Sequence, residues 1–234
     1  MPYLKERSSL PEKMDQPGVV VDEIHKALHE LEVINKLLGG YHVIFNALEK
    51  LEWNRPLTIM DLGCGGGDML RAIARWAEKK NREVNLIGVD RNPVMIEYAS
   101  EHAKDFPNIS FKTLDVFDDE LMLINADVTM NSLFCHHFDD EQLTELIKRM
   151  NKLATYTVIV NDIHRHWFAY YSIKFITAAF SKTYLVKYDA ALSVARSLTR
   201  KEWEKILADA DIKNYSLRWM WAWRWQLLIK KETI

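Results

Sequence analysis

The sequence contains little glycine, proline or cysteine for its length. Eight glycines and six prolines in 234 residues are too few for long disordered or low-complexity segments. The two cysteines, Cys64 and Cys135, exclude a disulfide framework, and their spacing resembles no zinc site. With 48% hydrophobic and 27% charged residues, the composition is that of a globular protein with one core of ordinary size.

Excess charge of one sign and long hydrophobic runs are also absent. The formal net charge is −2, with both signs interspersed, which disfavours a nucleic-acid partner and favours a small molecule. The most apolar run, Trp167–Phe180, is interrupted by Ser172 and Lys174 and is shorter than the roughly 20 residues of a bilayer span. Residues 1–18 lack the apolar region of a secretory signal. We therefore expect a cytoplasmic protein without stable membrane insertion, and we leave open whether it is a homodimer.

Hydrophobic periodicity predicts helices at the start of the chain. Ile24, Leu28, Leu31, Ile34 and Leu38 recur at steps of three and four, as on one face of a helix. Gly39-Gly40 would end this helix, and a second is predicted at about 41–51. We expect residues 1–55 to form a helical cap segment and residues 56–234 to form the main domain.

Alternating strands and helices follow and predict an α/β fold. Five strands are predicted, at Leu57–Leu62, Val84–Asp90, Ile109–Leu114, Ala126–Asn131 and Tyr156–Val160, with helical segments between them. This alternation predicts a parallel, Rossmann-like sheet. An aromatic insertion at about 164–198 would add helices to the cap after the fifth strand. Two closing strands, near Ile212–Trp219 and Ala222–Lys230, would form a hairpin, which gives seven strands with the last one antiparallel.

Four alternating tryptophans occur in that hairpin: Trp219, Trp221, Trp223 and Trp225. They would share one face of a continuous strand, or be divided between two strands if the turn fell at 221–222. We favour a hairpin packed on a helix over a membrane-contacting patch.

A glycine-rich loop after the first strand is the strongest sign of a ligand site. It runs from Asp61 to Asp68, and Gly63, Gly65 and Gly67 can adopt positive φ and let a ligand approach the backbone. The dinucleotide fingerprint G-x-G-x-x-G does not fit in either register, and Asp68 would repel a pyrophosphate at the helix N-terminus. A ligand with an amino group fits this loop better.

The next strand ends add groups suited to a nucleoside. Asp90 is placed to accept hydrogen bonds from ribose hydroxyls, with Arg91, Asn92 and Met95 beside it. Asp115 would meet an adenine amino group. Each of these acids could instead cap a turn or a helix, but their order and spacing together favour a binding site.

Four segments resemble successive motifs of class I S-adenosylmethionine-dependent methyltransferases: IMDLGCGGGDML, LIGVDRNPVMIEYA, FKTLDVFD and MNSLFCHHFDDEQL. The resemblance implies S-adenosylmethionine as cofactor. Asp61 and the three glycines would hold its methionine part and Asp90 its ribose, while Asp115 and Val116 would hold its adenine. Asn131, at the end of the fourth strand, is also predicted to line the cofactor site.

A narrower resemblance covers almost the whole chain. PEKMDQP, LEVINKLLGGY, VNDIHRHWFAYY and YDAALSVARSLTRKEW resemble methyltransferases encoded beside type III polyketide synthases, which are distantly similar to ubiquinone and menaquinone methyltransferases. This resemblance implies a small phenolic, enolic or quinol-like acceptor in secondary metabolism.

Candidate acid–base groups follow the fourth and fifth strands. His137 is our preferred general base and His136 the second choice, because a neutral imidazole is available near its reference pKa of about 6.5. Asp162 would orient His137, and Arg165 would attract an acidic acceptor, unless these two residues pair with each other. The residues predicted to contact the acceptor are Tyr41, Arg165, Trp167, Tyr170 and Tyr171.

The sequence thus predicts an enzyme that methylates an oxygen of a small acceptor. C-methylation of a quinone or polyketide ring is an alternative, as is a protein that binds S-adenosylmethionine without catalysis. No metal site is predicted.

Overall fold

The fold places seven strands between helical layers, in a computed structural model that describes residues 4–16 and 18–231. Residues 1–3 of the predicted segment 1–55 and residues 232–234 of the predicted domain 56–234 lie outside the described residues. The α-helices are α1 (Val21–Leu37), α2 (Gly40–Leu48), α3 (Asp68–Lys79), α4 (Pro93–His102), α5 (Asp140–Leu153), α6 (Trp167–Phe180), α7 (Tyr184–Arg196) and α8 (Arg200–Asp209). The strands are β1 (Leu57–Leu62), β2 (Val84–Asp90), β3 (Ile109–Thr113), β4 (Ala126–Ser132), β5 (Ala154–Ile163), β6 (Tyr215–Met220) and β7 (Arg224–Lys230).

The strands form one sheet in the order β3-β2-β1-β4-β5-β7-β6. Strands β1 to β5 pair in parallel, whereas β7 is antiparallel to both β5 and β6. The predicted α/β class, with seven strands and an antiparallel last strand, is therefore confirmed. The carboxyl ends of β1 to β5 meet at one edge, and the loops that carry the candidate residues follow those ends.

Strand β5 is longer than predicted. The sequence suggested an end at Val160, because the apolar run stops there, but β5 continues to Ile163. Asn161 and Asp162 are paired in register with Gln226 and Trp225 of β7. The side-chain NH2 of Asn161 donates to Oγ of Ser132 at 2.7 Å, so its buried nitrogen has a partner within the sheet.

The tryptophan alternation is divided by the hairpin turn. Trp219 in β6 lies opposite Trp225 in β7. Ala222 and Trp223 between them have φ values of 61° and 53°, which turn the chain tightly. The four rings therefore lie on two strands and their turn, the second of the two predicted arrangements.

The insertion after β5 consists of α6 and α7, which pack against each other. A parallel bridge between His164 and Leu198 closes the base of the insertion. Helix α1 packs against α7, so the N-terminal helices and the insertion cover the same edge of the sheet. In the part of the chain that the structure describes, no helix is long and apolar enough to cross a membrane.

Candidate functional site

One cavity of about 900 Å³ lies over the carboxyl ends of the parallel strands. This volume is within the usual range for small-molecule sites. One part of its wall comes from the loops after β1, β2 and β3. The other part comes from residues after β4, from α1, α6 and α7, from the β6–β7 turn, and from residues 11–15.

The loop between β1 and α3 is open at Gly65. Gly63, Gly65 and Gly67 all have positive φ, at 73°, 50° and 69°. A Cβ at Gly63 would lie 2.2 Å from the Phe134 ring, whereas a Cβ at Gly65 would meet nothing within 4 Å. Gly63 is therefore needed for packing, and Gly65 leaves backbone accessible from the cavity.

Three carboxylates line this part of the cavity: Asp61, Asp68 and Asp90. Burial, together with the charges of Asp68 and Asp90, raises the pKa of Asp61 well above its usual range. The buried Oδ1 atom of Asp61 has no hydrogen-bond partner among the described residues. Burial also raises the pKa of Asp68, against hydrogen bonds from Tyr41 and Asn35 that lower it. A cationic ligand that donates hydrogen bonds would stabilise this group.

Asp90 connects the first two loops. Its Oδ2 accepts a hydrogen bond from the Gly65 amide and its Oδ1 one from the Asn92 amide, both at 2.9 Å. Burial raises the pKa of Asp90 and these two amides lower it. Each carboxylate oxygen has a further lone pair for a ribose hydroxyl. Arg91 and Met95 line the cavity beside it, as predicted.

Asp115 and Val116 line the cavity after β3. Oδ1 of Asp115 accepts a hydrogen bond from the Phe117 amide at 3.0 Å, so this carboxylate also fixes its own turn. Asp61, the open backbone at Gly65, Asp90 and Asp115 together suit an amino group, a ribose and an adenine in that order. The residues fit S-adenosylmethionine, as the sequence predicted.

His136 is a buried member of an ion-paired chain. Its Nδ1 lies 2.7 Å from Oδ1 of Asp162, and its Nε2 lies 3.5 Å from Oε1 of Glu12. Burial lowers the pKa of His136, but the two carboxylates outweigh this effect and raise the pKa to about 10. His136 is therefore an imidazolium near neutral pH and has no free lone pair to act as a base.

His137 has a different environment. Its Nδ1 lies 3.0 Å from Oδ2 of Asp15, and its Nε2 lies 3.8 Å from Oε2 of Glu12. Its side chain is 21% exposed, against 2% for His136, and it lines the cavity. His137 is thus the more accessible imidazole, but it is oriented by Asp15, not by Asp162 as predicted. Asp162 contacts His136 because β5 continues past Asp162 and fixes its carboxylate behind the first histidine.

The N-terminal strap, which we define as residues 10–16, brings Glu12 and Asp15 to the histidines. Glu12 is 4% exposed. Burial raises the pKa of Glu12, but hydrogen bonding to His136 and the charges of both histidines lower it to about 2. The sequence analysis did not predict Glu12 or Asp15 as partners of the histidines. Both acids lie in the motif PEKMDQP, which carries part of the narrower family resemblance and could have pointed to them.

Helix α7 holds the strap in place through side chains one helical turn apart. Asp189 accepts hydrogen bonds from the amides of Lys13 and Met14, at 2.8 and 3.0 Å. Ser193 donates to Oε1 of Glu12 at 2.7 Å. Arg196 donates to the carbonyls of Leu10, His136 and His137. The strap and the two histidines are therefore positioned by the same helix.

The structure places the residues predicted to contact the acceptor outside the wall of this cavity. Arg165 is buried and donates to Glu202 at 2.6 Å and to the Ser197 carbonyl at 2.7 Å, so it stabilises the base of the insertion. Tyr41 donates to Asp68 at 2.9 Å and does not itself line the cavity. The cavity is lined by the opposite side of α6 from the predicted residues, with Ala169, Ser172, Ile173 and Ile176 in place of Trp167, Tyr170 and Tyr171.

Two predicted cofactor contacts also lie away from the cavity wall. Asn131 is fully buried, accepts a hydrogen bond from Sγ of Cys135 at 3.3 Å, and packs on Met150. It thereby supports the 3-10 helix Cys135–His137 from below. Gly67 is not part of the wall, and a Cβ there would lie 3.0 Å from Phe111. Both residues shape the site without lining it.

Glu12, His136 and His137 are the one set of described residues in which three potential metal-ligand atoms lie within 4.8 Å of one another. Of these residues, His136 is ion-paired with Glu12 and Asp162. A metal ion would have to displace the proton that the two carboxylates hold on His136.

The fold and the loop chemistry define a Rossmann-like S-adenosylmethionine-dependent methyltransferase. Residues 54–211 match the model of a methyltransferase domain family, and the chain belongs to this family. S-adenosylmethionine is accordingly its cofactor.

Sequence relatives match part of the chain, and the structural neighbours share its fold. Carboxy-S-adenosyl-L-methionine synthase from Helicobacter pylori strain HPAG1 is 36% identical over 89 residues, which are 38% of this chain and 35% of the relative. The matched part is thus about a third of that relative's length. Human N-acetylserotonin methyltransferase, solved with its cofactor, has a TM-score of 0.65 at 15% identity and covers 92% of this chain and 57% of its own. An O-methyltransferase family 2 protein from Planctomyces limnophilus DSM 3776, solved with apigenin, has a TM-score of 0.56 at 18% identity and covers 79% and 56%.

Proposed function

We propose that this methyltransferase transfers a methyl group to an acidic hydroxyl of a small phenolic, enolic or quinol-like acceptor. The observation that carries the proposal is that His137 lines the same cavity as the three carboxylates of the cofactor loops. S-adenosylmethionine supplies an electrophilic methyl group there. The protein must align an oxygen nucleophile with that methyl group, exclude water and accept a proton.

His137 is proposed to accept the proton of the acceptor. Asp15 lies on Nδ1 and orients the ring, so Nε2, which lies 3.8 Å from Glu12, is the nitrogen proposed to accept the proton. The cationic His136 next to it would stabilise the oxyanion of the acceptor as the proton leaves. Asp162 is proposed as a positioning residue that keeps His136 charged and in place.

The shape of the acceptor side supports a flat or alkyl-bearing molecule. Its wall includes Phe134, Phe138, Leu185, Val186 and the apolar residues of α6. Such a wall gains from burying an aromatic ring or chain. The apigenin bound by the Planctomyces protein is a polyphenol, which is consistent with this class of acceptor.

The test is a mass-spectrometric screen of polyphenols, enols and quinols with the purified protein and S-adenosylmethionine. We expect a mass gain of one methyl group on at least one acceptor, with a methoxy signal in the NMR spectrum of the product. A new carbon-bound methyl would replace the O-methylation proposal by C-methylation. Cofactor binding without transfer to any acceptor, in parallel with an active reference O-methyltransferase, would contradict the proposed activity.

A further inference from the structure

Helix α6 presents two apolar faces in different surroundings. Its inner face, with Ile173 and Ile176, lines the cavity. Its outer face carries the exposed rings of Trp167, Phe168 and Phe175, and the side chain of Phe175 is 73% exposed. Residues spaced by three, four and seven along a helix share a face. An outer face of this kind is normally polar in a protein surrounded by water only.

The segment that carries these rings is basic. Residues 166–188 contain no Asp or Glu, and their three lysines, Lys174, Lys182 and Lys187, are all exposed. Lys13 of the strap lies 4.3 Å from the ring centre of Tyr188 and adds a fourth positive charge. The nearby Glu30 accepts hydrogen bonds from the backbone amides of Lys182 and Thr183, so its carboxylate is already engaged.

The exposed rings continue to the rim of the cavity through the β6–β7 turn. Trp223 stacks on Phe168 with ring centres 4.8 Å apart. Trp221 lines the cavity and is also 64% exposed, so it lies where the cavity opens. We call the exposed rings of the outer face of α6, together with Trp221 of the turn, the aromatic face: Trp167, Phe168, Phe175 and Trp221.

We propose that the aromatic face docks the protein on the surface of an anionic lipid bilayer. Tryptophan and lysine side chains suit the headgroup region, and phenylalanine suits the acyl boundary below it. Anionic headgroups complement the lysines. A second copy of the chain is a poorer occupant, because a twofold contact would bring the same lysines of both copies together. This inference deepens the proposed function, on which it rests for the acceptor: a lipid-dissolved acceptor would enter the cavity past Trp221.

The test uses the full-length protein without cofactor or acceptor, so that it is independent of methyl transfer. Binding is measured by co-sedimentation with vesicles of phosphatidylcholine alone and of equal parts phosphatidylcholine and phosphatidylglycerol, and by tryptophan emission. We expect binding to the anionic vesicles with a blue shift, and much weaker binding to the zwitterionic ones. Added salt should weaken the binding.

Matched variants separate the aromatic face from other surfaces. Combined Lys174→Glu, Lys182→Glu and Lys187→Glu should lower the partition coefficient by about a hundredfold, and Phe175→Asp by roughly tenfold or more. The control Leu123→Asp replaces an 82% exposed leucine at the end of the 3-10 helix Asp119–Leu123. The control Lys148→Glu replaces an exposed lysine of α5. Both controls should bind like the wild type. Circular dichroism verifies that each variant is folded.

Three results would overturn the proposal: equal binding to both vesicle types, no binding to either, or equal losses in the controls and the aromatic-face variants. Concentration-dependent dimerisation that Phe175→Asp abolishes, without vesicle binding, would assign the face to a second copy. A protein that docks but methylates nothing would contradict the proposed function and leave the docking site standing. A protein that methylates soluble acceptors but does not bind vesicles would support the proposed function and contradict the docking site.

Discussion

Nδ1 of His136 lies 2.7 Å from Oδ1 of Asp162, and both side chains are buried. The pKa of His136, lowered by burial and raised more strongly by Asp162 and Glu12, is about 10. A histidine whose pKa is raised on folding stabilises the protein fully below its unfolded pKa of about 6.5. That stabilisation is lost as the pH rises through about 10.

We therefore predict that the free energy of unfolding falls between about pH 6.5 and pH 10, as measured by urea denaturation across this range. His136→Gln should remove this part of the pH dependence, because glutamine does not titrate. Asp162→Asn should reduce it and destabilise the protein by about 3 kcal/mol near pH 7, since it leaves a buried charge partly unpaired. The exposed His29→Gln is the control. An unchanged pH dependence in His136→Gln would refute the assignment.

His137→Ala tests the proposed base. Cofactor affinity should stay close to that of the wild type, while turnover falls by about 10²–10⁴ at neutral pH. Turnover should recover partly at higher pH, where the acceptor ionises unaided. The measurement is kcat against pH with the acceptor found by the screen, and His29→Ala is the matched control. Wild-type turnover, or loss of cofactor binding together with turnover, would show that His137 is structural.

Asp90→Ala tests the ribose contact. We expect a loss of roughly 1.5–3 kcal/mol in S-adenosylmethionine affinity by titration calorimetry, because hydrogen bonds to a charged group disappear. The variant Asp90→Asn keeps one acceptor oxygen, for either the Gly65 or the Asn92 amide, so it should disturb the loop less than Asp90→Ala does. NADH should give no heat with the wild type. Binding of NADH without binding of S-adenosylmethionine would contradict the cofactor site.

Asp189→Asn tests the role of the strap. It removes one of the two hydrogen bonds from the amides of Lys13 and Met14 and takes the charge from the other, so Glu12 and Asp15 are held less firmly beside the histidines. We expect roughly tenfold lower kcat/KM for the acceptor, on the scale of one weakened charge-assisted bond, with little change in cofactor affinity. Limited proteolysis should cut the strap faster than in the wild type. Equal proteolysis together with equal kcat/KM would separate the strap from function.

Chelation tests the metal alternative. Extensive dialysis against EDTA should leave turnover unchanged, because Nε2 of His136 retains a proton at neutral pH, consistent with its pKa of about 10. Elemental analysis before and after dialysis is the second measurement. Loss of activity that Zn²⁺ or Mn²⁺ restores would make the Glu12–His136–His137 cluster a metal site.

The sheet and the cofactor loops could be predicted from sequence because their signals are local. The glycines between Asp61 and Asp68 and the acid at the end of β2 lie within short segments whose periodicity sets their place at the sheet edge. The length of β5 was not predictable in this way. Asn161 and Asp162 look like an exit loop until β7 supplies their ladder partners.

The acceptor side depends on contacts between distant parts of the chain. Glu12 reaches His136 only because α7 binds the strap, and no local pattern pairs an acid near the N-terminus with a histidine after β4. Arg165 was predicted to attract the acceptor because it follows the fifth strand. Its actual partner, Glu202, lies in α8, and the position of α8 depends on how the insertion closes. The side of α6 that faces the cavity was predicted from its aromatic residues. Aromatic content indicates that a helix is partly buried, but it does not show which side faces the cavity.

Different segments of the chain line the two parts of the cavity wall, so substitutions on the cofactor side and on the acceptor side can vary independently. Loops between residues 61 and 116 line the part of the cavity proposed for the cofactor, whereas α6, α7 and the turn at 221–224 line the part proposed for the acceptor. Exchange of these later segments among homologous proteins would alter acceptor selectivity while the cofactor loops stay intact. Such chimeras offer a route to new methyl acceptors while His137, the proposed base, stays unchanged.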